Sequence, residues 1–313
     1  MNTRSNAVPD SAVDSQGIAP AAMSATRPMY WSIRRELWEN RSIYIAPLAV
    51  AAVYLFGFLI SLFWVPRSMR GMAAHDVAPP IVLAMPYSHA AMLITIIAFL
   101  VGIFYSLDAL HSERRDRSIL FWKSLPVSDL TTVLSKASIP LVVLPLLVVA
   151  ITVALNLIMV LLSGAILLVS RASTATPWFP PLFEMELVML YSTTVLALWH
   201  APIYCWFLLV SGWARRATFL WAVLPPLAIA AVEYAAFHTS YLGSLLQDRM
   251  FGFAAGAFDL KDKNGVPIDP HFIPLAQLAP GRFLSSPSLW LGLIVAAICL
   301  GAAVRLRRYR EPI

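Results

Sequence analysis

The chain predicts an all-α integral membrane protein with six transmembrane helices, and three observations carry that reading. Of its 313 residues 59% are hydrophobic and 13% charged, with a mean hydropathy of +0.72, against roughly 45–50% apolar and 25% charged in soluble domains. The apolar residues gather in blocks of about 18 to 34, long enough as helices to cross a hydrocarbon core of about 30 Å. The blocks lack the alternation of a barrel strand, and backbone groups in lipid need partners within their own segment, so each block reads as a helix.

Residues 1–27 are rich in Ser, Ala, Asn and Asp and lack the basic-then-apolar order of a signal peptide; they read as a disordered tail. One six-span domain is expected over 28–310, with 311–313 as a short C-terminal end. Residues 30–44 have the pattern of an amphipathic helix lying at the interface. Tyr30, Ile33, Leu37 and Tyr44 share a face, Arg35, Glu36 and Glu39 are expected to point away, and Arg35 meets Glu39 at i,i+4. Trp31 and Trp38 flank the stripe, where amphipathic rings suit a headgroup boundary. Trp31, Arg34, Arg35, Leu37 and Trp38 thus form a candidate elbow on the membrane surface; a charged stop before the first span is the other reading.

The spans are expected at 43–65, 86–107, 138–169, 187–211, 218–237 and 288–304. An even number puts both termini on one side. Sixteen Lys and Arg fall in the tails, the 111–136 loop and the 215–216 turn, against seven in the opposite loops. The excess marks the first set as cytoplasmic. The net charge of +6 therefore reports orientation beside the membrane, and no nucleic-acid partner is expected. A helix from about residue 130 to 169 would run roughly 60 Å at 1.5 Å per residue. It must tilt, emerge or break, and Pro140 and Pro145 are the expected bends. The outer segment 239–287 reads as short, partly re-entrant helices and an Asn264-Gly265 turn, or as a disordered loop.

Chemistry is sparse. No Gly is followed by Lys, so there is no phosphate-cradling P-loop, and H-E-x-x-H and G-x-S-x-G are also absent. The chain is not expected to be an enzyme by itself or to hold a cofactor or metal. Cys205 and Cys299 fall inside spans and read as small core residues. Three polar residues within spans stand out as candidates: Asn156, His200 and Glu233. They suit either a proton relay, with His238 beside Glu233, or interhelical hydrogen bonds at about 0.6 kcal/mol each.

The richest segment is 111–136, HSERRDRSILFWKSLPVSDLTTVLSK. A connector needs only a few polar residues, and long patterned loops in compact domains are usually functional. Ile119, Phe121, Trp122 and Leu125 offer an apolar surface beside Lys123. Pro126 stops that helix, and Ser128 or Asp129 caps the next. Such a knob suits a groove on a soluble partner, with aromatic anchors; a helix resting on lipid is the other reading.

The cluster Glu113-Arg114-Arg115-Asp116-Arg117 and Ser118, then Ser124-Leu125-Pro126-Val127-Ser128-Asp129, then Val133, Ser135 and Lys136, resembles the permease subunits of type-2 ATP-binding-cassette (ABC) exporters. The six-span order and the long outer segment before the last span extend the resemblance over most of 28–310. It implies a coupling helix in which Glu113, Arg114, Arg117, Ile119, Phe121, Trp122, Lys123, Leu125 and Pro126 dock on a separate ATPase. It also implies two copies of that ATPase, carrying ATP and Mg, two copies of this chain around a cargo path, and a bacterial-type inner membrane with both termini cytoplasmic. Two other classes stay open: a non-transporting scaffold or sensor that recruits a cytoplasmic partner, and a secondary carrier, for which no inverted repeat is visible between 43–169 and 187–304.

Overall fold

The computed structural model describes residues 26–62, 79–116, 127–169, 182–259 and 274–309. Among them six helices are long and apolar enough to cross a membrane, and the only β pairing is one antiparallel bridge between Phe258 and Leu278. The chain is a multi-pass, all-α membrane protein. Helix α1 (Thr26–Glu39) precedes α2 (Ser42–Leu62); α3 (Pro79–Asp108) runs into the short α4 (His111–Arg115). Then come α5 (Asp129–Ser138), a π turn (Ile139–Val143) and α6 (Leu144–Val169), followed by α7 (Leu182–Trp213) and α8 (Thr218–Phe237). Short helices α9 (Tyr241–Phe251), α10 (Phe253–Ala257) and α11 (Pro280–Leu284) lead to α12 (Pro287–Tyr309).

The third span runs as one continuous helical stretch, with a π turn at Pro140. Pro140 has no N–H to give to the preceding turn, so the ladder widens there, and the Leu144 amide reaches the Ile139 carbonyl five residues back. The helix therefore passes through the π turn without ending and continues as α6. At its start the Ser128 hydroxyl accepts from the Thr131 amide at 3.1 Å, the cap expected at that position.

Packing is centred on α7 against α12, then on α3 against α2 and α7, with α6 packed on both α2 and α3. Ile43, Ile94, Val133, Ile139, Met159 and Leu208 are fully enclosed there. Outward faces carry large apolar side chains such as Val53, Phe56, Leu161 and Ile298, as solvation by hydrocarbon requires. Helix α8 lies at the edge with only Ala222 buried, tied to α7 by the Trp206 indole donating to the Ala222 carbonyl at 3.0 Å.

At one end α9 to α11 fold back onto α7. Tyr191 donates to the Ala257 carbonyl at 3.0 Å and Trp199 to that of Asp248 at 3.3 Å. Arg249 is the lock: it donates to the carbonyls of Ser288 at 2.7 Å and Trp199 at 3.3 Å, with its guanidinium 4.5 Å from the Trp199 ring centroid. One side chain so joins α9, α7 and the start of α12.

Candidate functional site

The other end of the bundle is held by a buried ion network. Glu36 of α1 is 1% exposed, Lys136 of α5 2% and Glu113 of α4 6%. The Lys136 ammonium lies 2.8 Å from Glu36 Oε1 and 3.1 Å from Glu113 Oε1. Arg35 reaches the same two oxygens at 2.7 and 3.1 Å, and Tyr105 of α3 donates to Glu36 Oε2 at 2.8 Å. Arg307, near the end of α12, bonds Glu113 Oε2 and meets Asp129 Oδ1 at 3.1 Å. Three cations thus face three carboxylates. Burying such charges is expensive unless each is paired and its remaining hydrogen-bonding capacity is used.

Burial alone would push the Glu36 carboxyl up; Lys136, and after it Arg35, outweigh burial and hold it below its ordinary value of 4.5. Arg114, also buried, serves the same end differently. It donates to the carbonyls of Gly212 at 2.8 Å and Ala214 at 3.3 Å, placing a cation on the orphan carbonyls at the end of α7.

The orientation expected for α1 is therefore corrected. Glu36 and Arg35 turn into the bundle instead of away from it, because Lys136 and Glu113 supply charge partners there, while Ile33 and Leu37 pack on the core from the same side. The expected Arg35–Glu39 pair is present at 3.5 Å. Trp31 and Trp38 are 58% and 68% exposed, with the Arg34 guanidinium 5.2 and 5.0 Å from their ring centroids. Glu113 and Arg114, expected on a docking surface, are instead engaged internally, because the ends of α7 and α12 offer them partners. Arg117, Ile119, Phe121, Trp122, Lys123, Leu125 and Pro126 lie outside the described residues. What the described part establishes is that the chain enters residue 117 and leaves residue 126 from two helices clamped to each other and to α1 and α12.

A second feature lies between α3, α6, α7 and the α9–α10 segment: a cavity of about 640 Å³. Asn156 and His200 both line it. Asn156 donates to Glu186 Oε1 at 2.8 Å, and the ring nitrogens of His200 face the carbonyls of Leu196 at 2.9 Å and Met250 at 3.3 Å. Glu233 is elsewhere. Its carboxylate accepts from the Tyr241 amide at 2.7 Å, the Leu242 amide at 2.9 Å and the Thr239 hydroxyl at 3.0 Å, capping the start of α9. Among the described residues no hydrogen bond joins Glu233 to His238 or His200: its carboxylate is occupied by the Tyr241 and Leu242 amides and the Thr239 hydroxyl. Glu186 was missed by the sequence reading, which began the fourth span one residue after it. No family model, no curated protein and no solved structure matches the chain.

Proposed function

We propose that the chain is the transmembrane permease subunit of an ATP-driven exporter of the type-2 ABC class, working as a dimer with two copies of a separate ATPase that binds ATP and Mg. The ion network is the observation that supports this most. The helices flanking 117–126 are cross-linked by buried charge to α1 and to the end of α12, so a push on that loop moves α1, α3, α5 and α12 together. A lever needs such a stiff root. In this reading 117–126 is the coupling helix with Phe121 and Trp122 as anchors, α1 is a surface elbow at the cytoplasmic face of a bacterial-type inner membrane, and α9 to α11 are re-entrant helices on the outer side. Nucleotide-driven closure of the ATPases shifts the equilibrium between inward and outward states through differential stability.

Purification of the tagged chain from its native membranes with a non-hydrolysable ATP analogue tests this. A P-loop ATPase is expected to co-purify, and Trp122→Asp or Phe121→Asp to release it with expression of the chain unchanged. Unchanged co-purification in these variants refutes docking through the loop, and no nucleotide-binding polypeptide at all refutes the exporter assignment. Leu120→Cys and Asp262→Cys should label from opposite sides with an impermeant reagent; equal labelling overturns the topology.

A further inference from the structure

Polar groups enclosed by protein normally find partners, yet three buried oxygens of residues that line the 640 Å³ cavity have none: Thr152 Oγ1, Asn156 Oδ1 and Glu186 Oε2. Thr152 and Asn156 are 0% and 3% exposed and stand one turn apart on the same face of α6. The Asn156–Glu186 hydrogen bond at 2.8 Å brings the carboxylate of α7 beside them. Among the described residues no Lys or Arg lines the cavity. The remaining wall is apolar and aromatic, with Phe99, Phe253, Met185 and Met189 among its members. Met92 and Phe251 line it while exposed, so the chamber reaches the surface.

We propose that this cavity binds an amphipathic amine: an apolar body against the aromatic and methionine wall, and a protonated primary ammonium donating to Thr152, Asn156 and Glu186. Three acceptors meet three N–H donors, and the carboxylate gains the counter-charge that the described cavity wall does not supply. The volume falls within the roughly 300–1,000 Å³ typical of small-molecule sites. An anionic amphiphile would set its carboxylate against that of Glu186, and a neutral one would leave the charge unpaired.

Equilibrium dialysis of radiolabelled dodecylamine against the full chain in lipid nanodiscs, with empty nanodiscs subtracted, tests this. Saturable binding of one amine per chain is expected, with dodecanoate failing to compete. Glu186→Gln should weaken binding roughly tenfold or more, as loss of a charge-assisted hydrogen bond does, whereas Glu184→Gln, on the exposed first turn of α7, should leave it unchanged. Thr152→Val separates ligand binding from structure: it should raise the unfolding midpoint of the empty protein while weakening the amine. Full affinity in Glu186→Gln, or dodecanoate competing as well as the amine, overturns the proposal. Should Glu186→Gln fail to assemble, unchanged affinity in Thr152→Val overturns it alone. The assay contains no ATPase, so a failed amine site leaves the exporter reading standing, and absence of an ATPase leaves this site standing.

Discussion

The two ends of α6 and its α5 extension use polar side chains in opposite ways. At the α5 end, Lys136 sits between Glu36 and Glu113, Arg307 ties Glu113 to Asp129, and the second oxygen of Glu36 is taken by Tyr105. Farther along, Asn156 and Glu186 bond each other once and each keeps an oxygen without a partner. The first arrangement fills both oxygens of Glu36 and of Glu113; the second leaves oxygens unfilled on residues that line a chamber. Whether the acceptor oxygens are filled thus separates carboxylates that hold a membrane bundle together from polar groups presented to something else.

The sharpest way to break the comparison is Lys136→Met. It leaves Glu36 and Glu113 buried with less counter-charge, and removing one partner of a buried pair costs about 3–5 kcal/mol. Thermal unfolding in detergent should show a large fall in midpoint, partly recovered when Glu36→Gln is added. A midpoint equal to wild type would mean that the charged end is no clamp. Next in size is Tyr105→Phe, which removes one donor to a buried carboxylate and is expected to cost about 1.5–3 kcal/mol, while Tyr87→Phe, whose contact to Ser163 is a long 3.5 Å, should cost less.

The same end should be acid-sensitive. Glu36 is held below 4.5 in the folded chain, so the unfolded chain takes up its proton first as pH falls. Its stabilisation is full above about pH 4.5 and is lost as pH drops from there through the lower folded value. Unfolding midpoints measured from neutral to acidic pH should show that decline, and Glu36→Gln should flatten its own share of it. A wild-type midpoint that rises on acidification contradicts the assignment.

Much of the architecture was legible in the chain. Long apolar blocks give spans because lipid leaves the backbone no alternative, Pro140 falls in the π turn because it lacks a donor, and Ser128 caps α5 as its type predicts. The site was legible only in fragments. A helical wheel sends Glu36 toward water, since the residue that draws it inward, Lys136, is 100 positions away. Arg307 is indistinguishable in sequence from its neighbours Arg305 and Arg308, which serve equally well as orientation charges. Glu186 sits where hydropathy ends a span, and only contact with Asn156 on another helix brings it inside. Charge identity is written in the sequence; charge partnership is a property of the packed helices.

Glu233 provides the smallest expected effect and the cleanest control. An acidic residue inside a span is by default a candidate for function, yet here both oxygens are filled by the first amides of α9. Its environment is open, so losing the cap should hardly move the global midpoint. Glu233→Gln should instead speed hydrogen exchange at the Tyr241 and Leu242 amides, leaving exchange near Lys136 and dodecylamine binding at Glu186 unchanged. Slow exchange retained at both amides would show that the cap is redundant, and a change in amine binding would place Glu233 in the pathway to the cavity. By the rule drawn from the other two regions, a carboxylate whose acceptors are already taken by its own backbone should behave as structure.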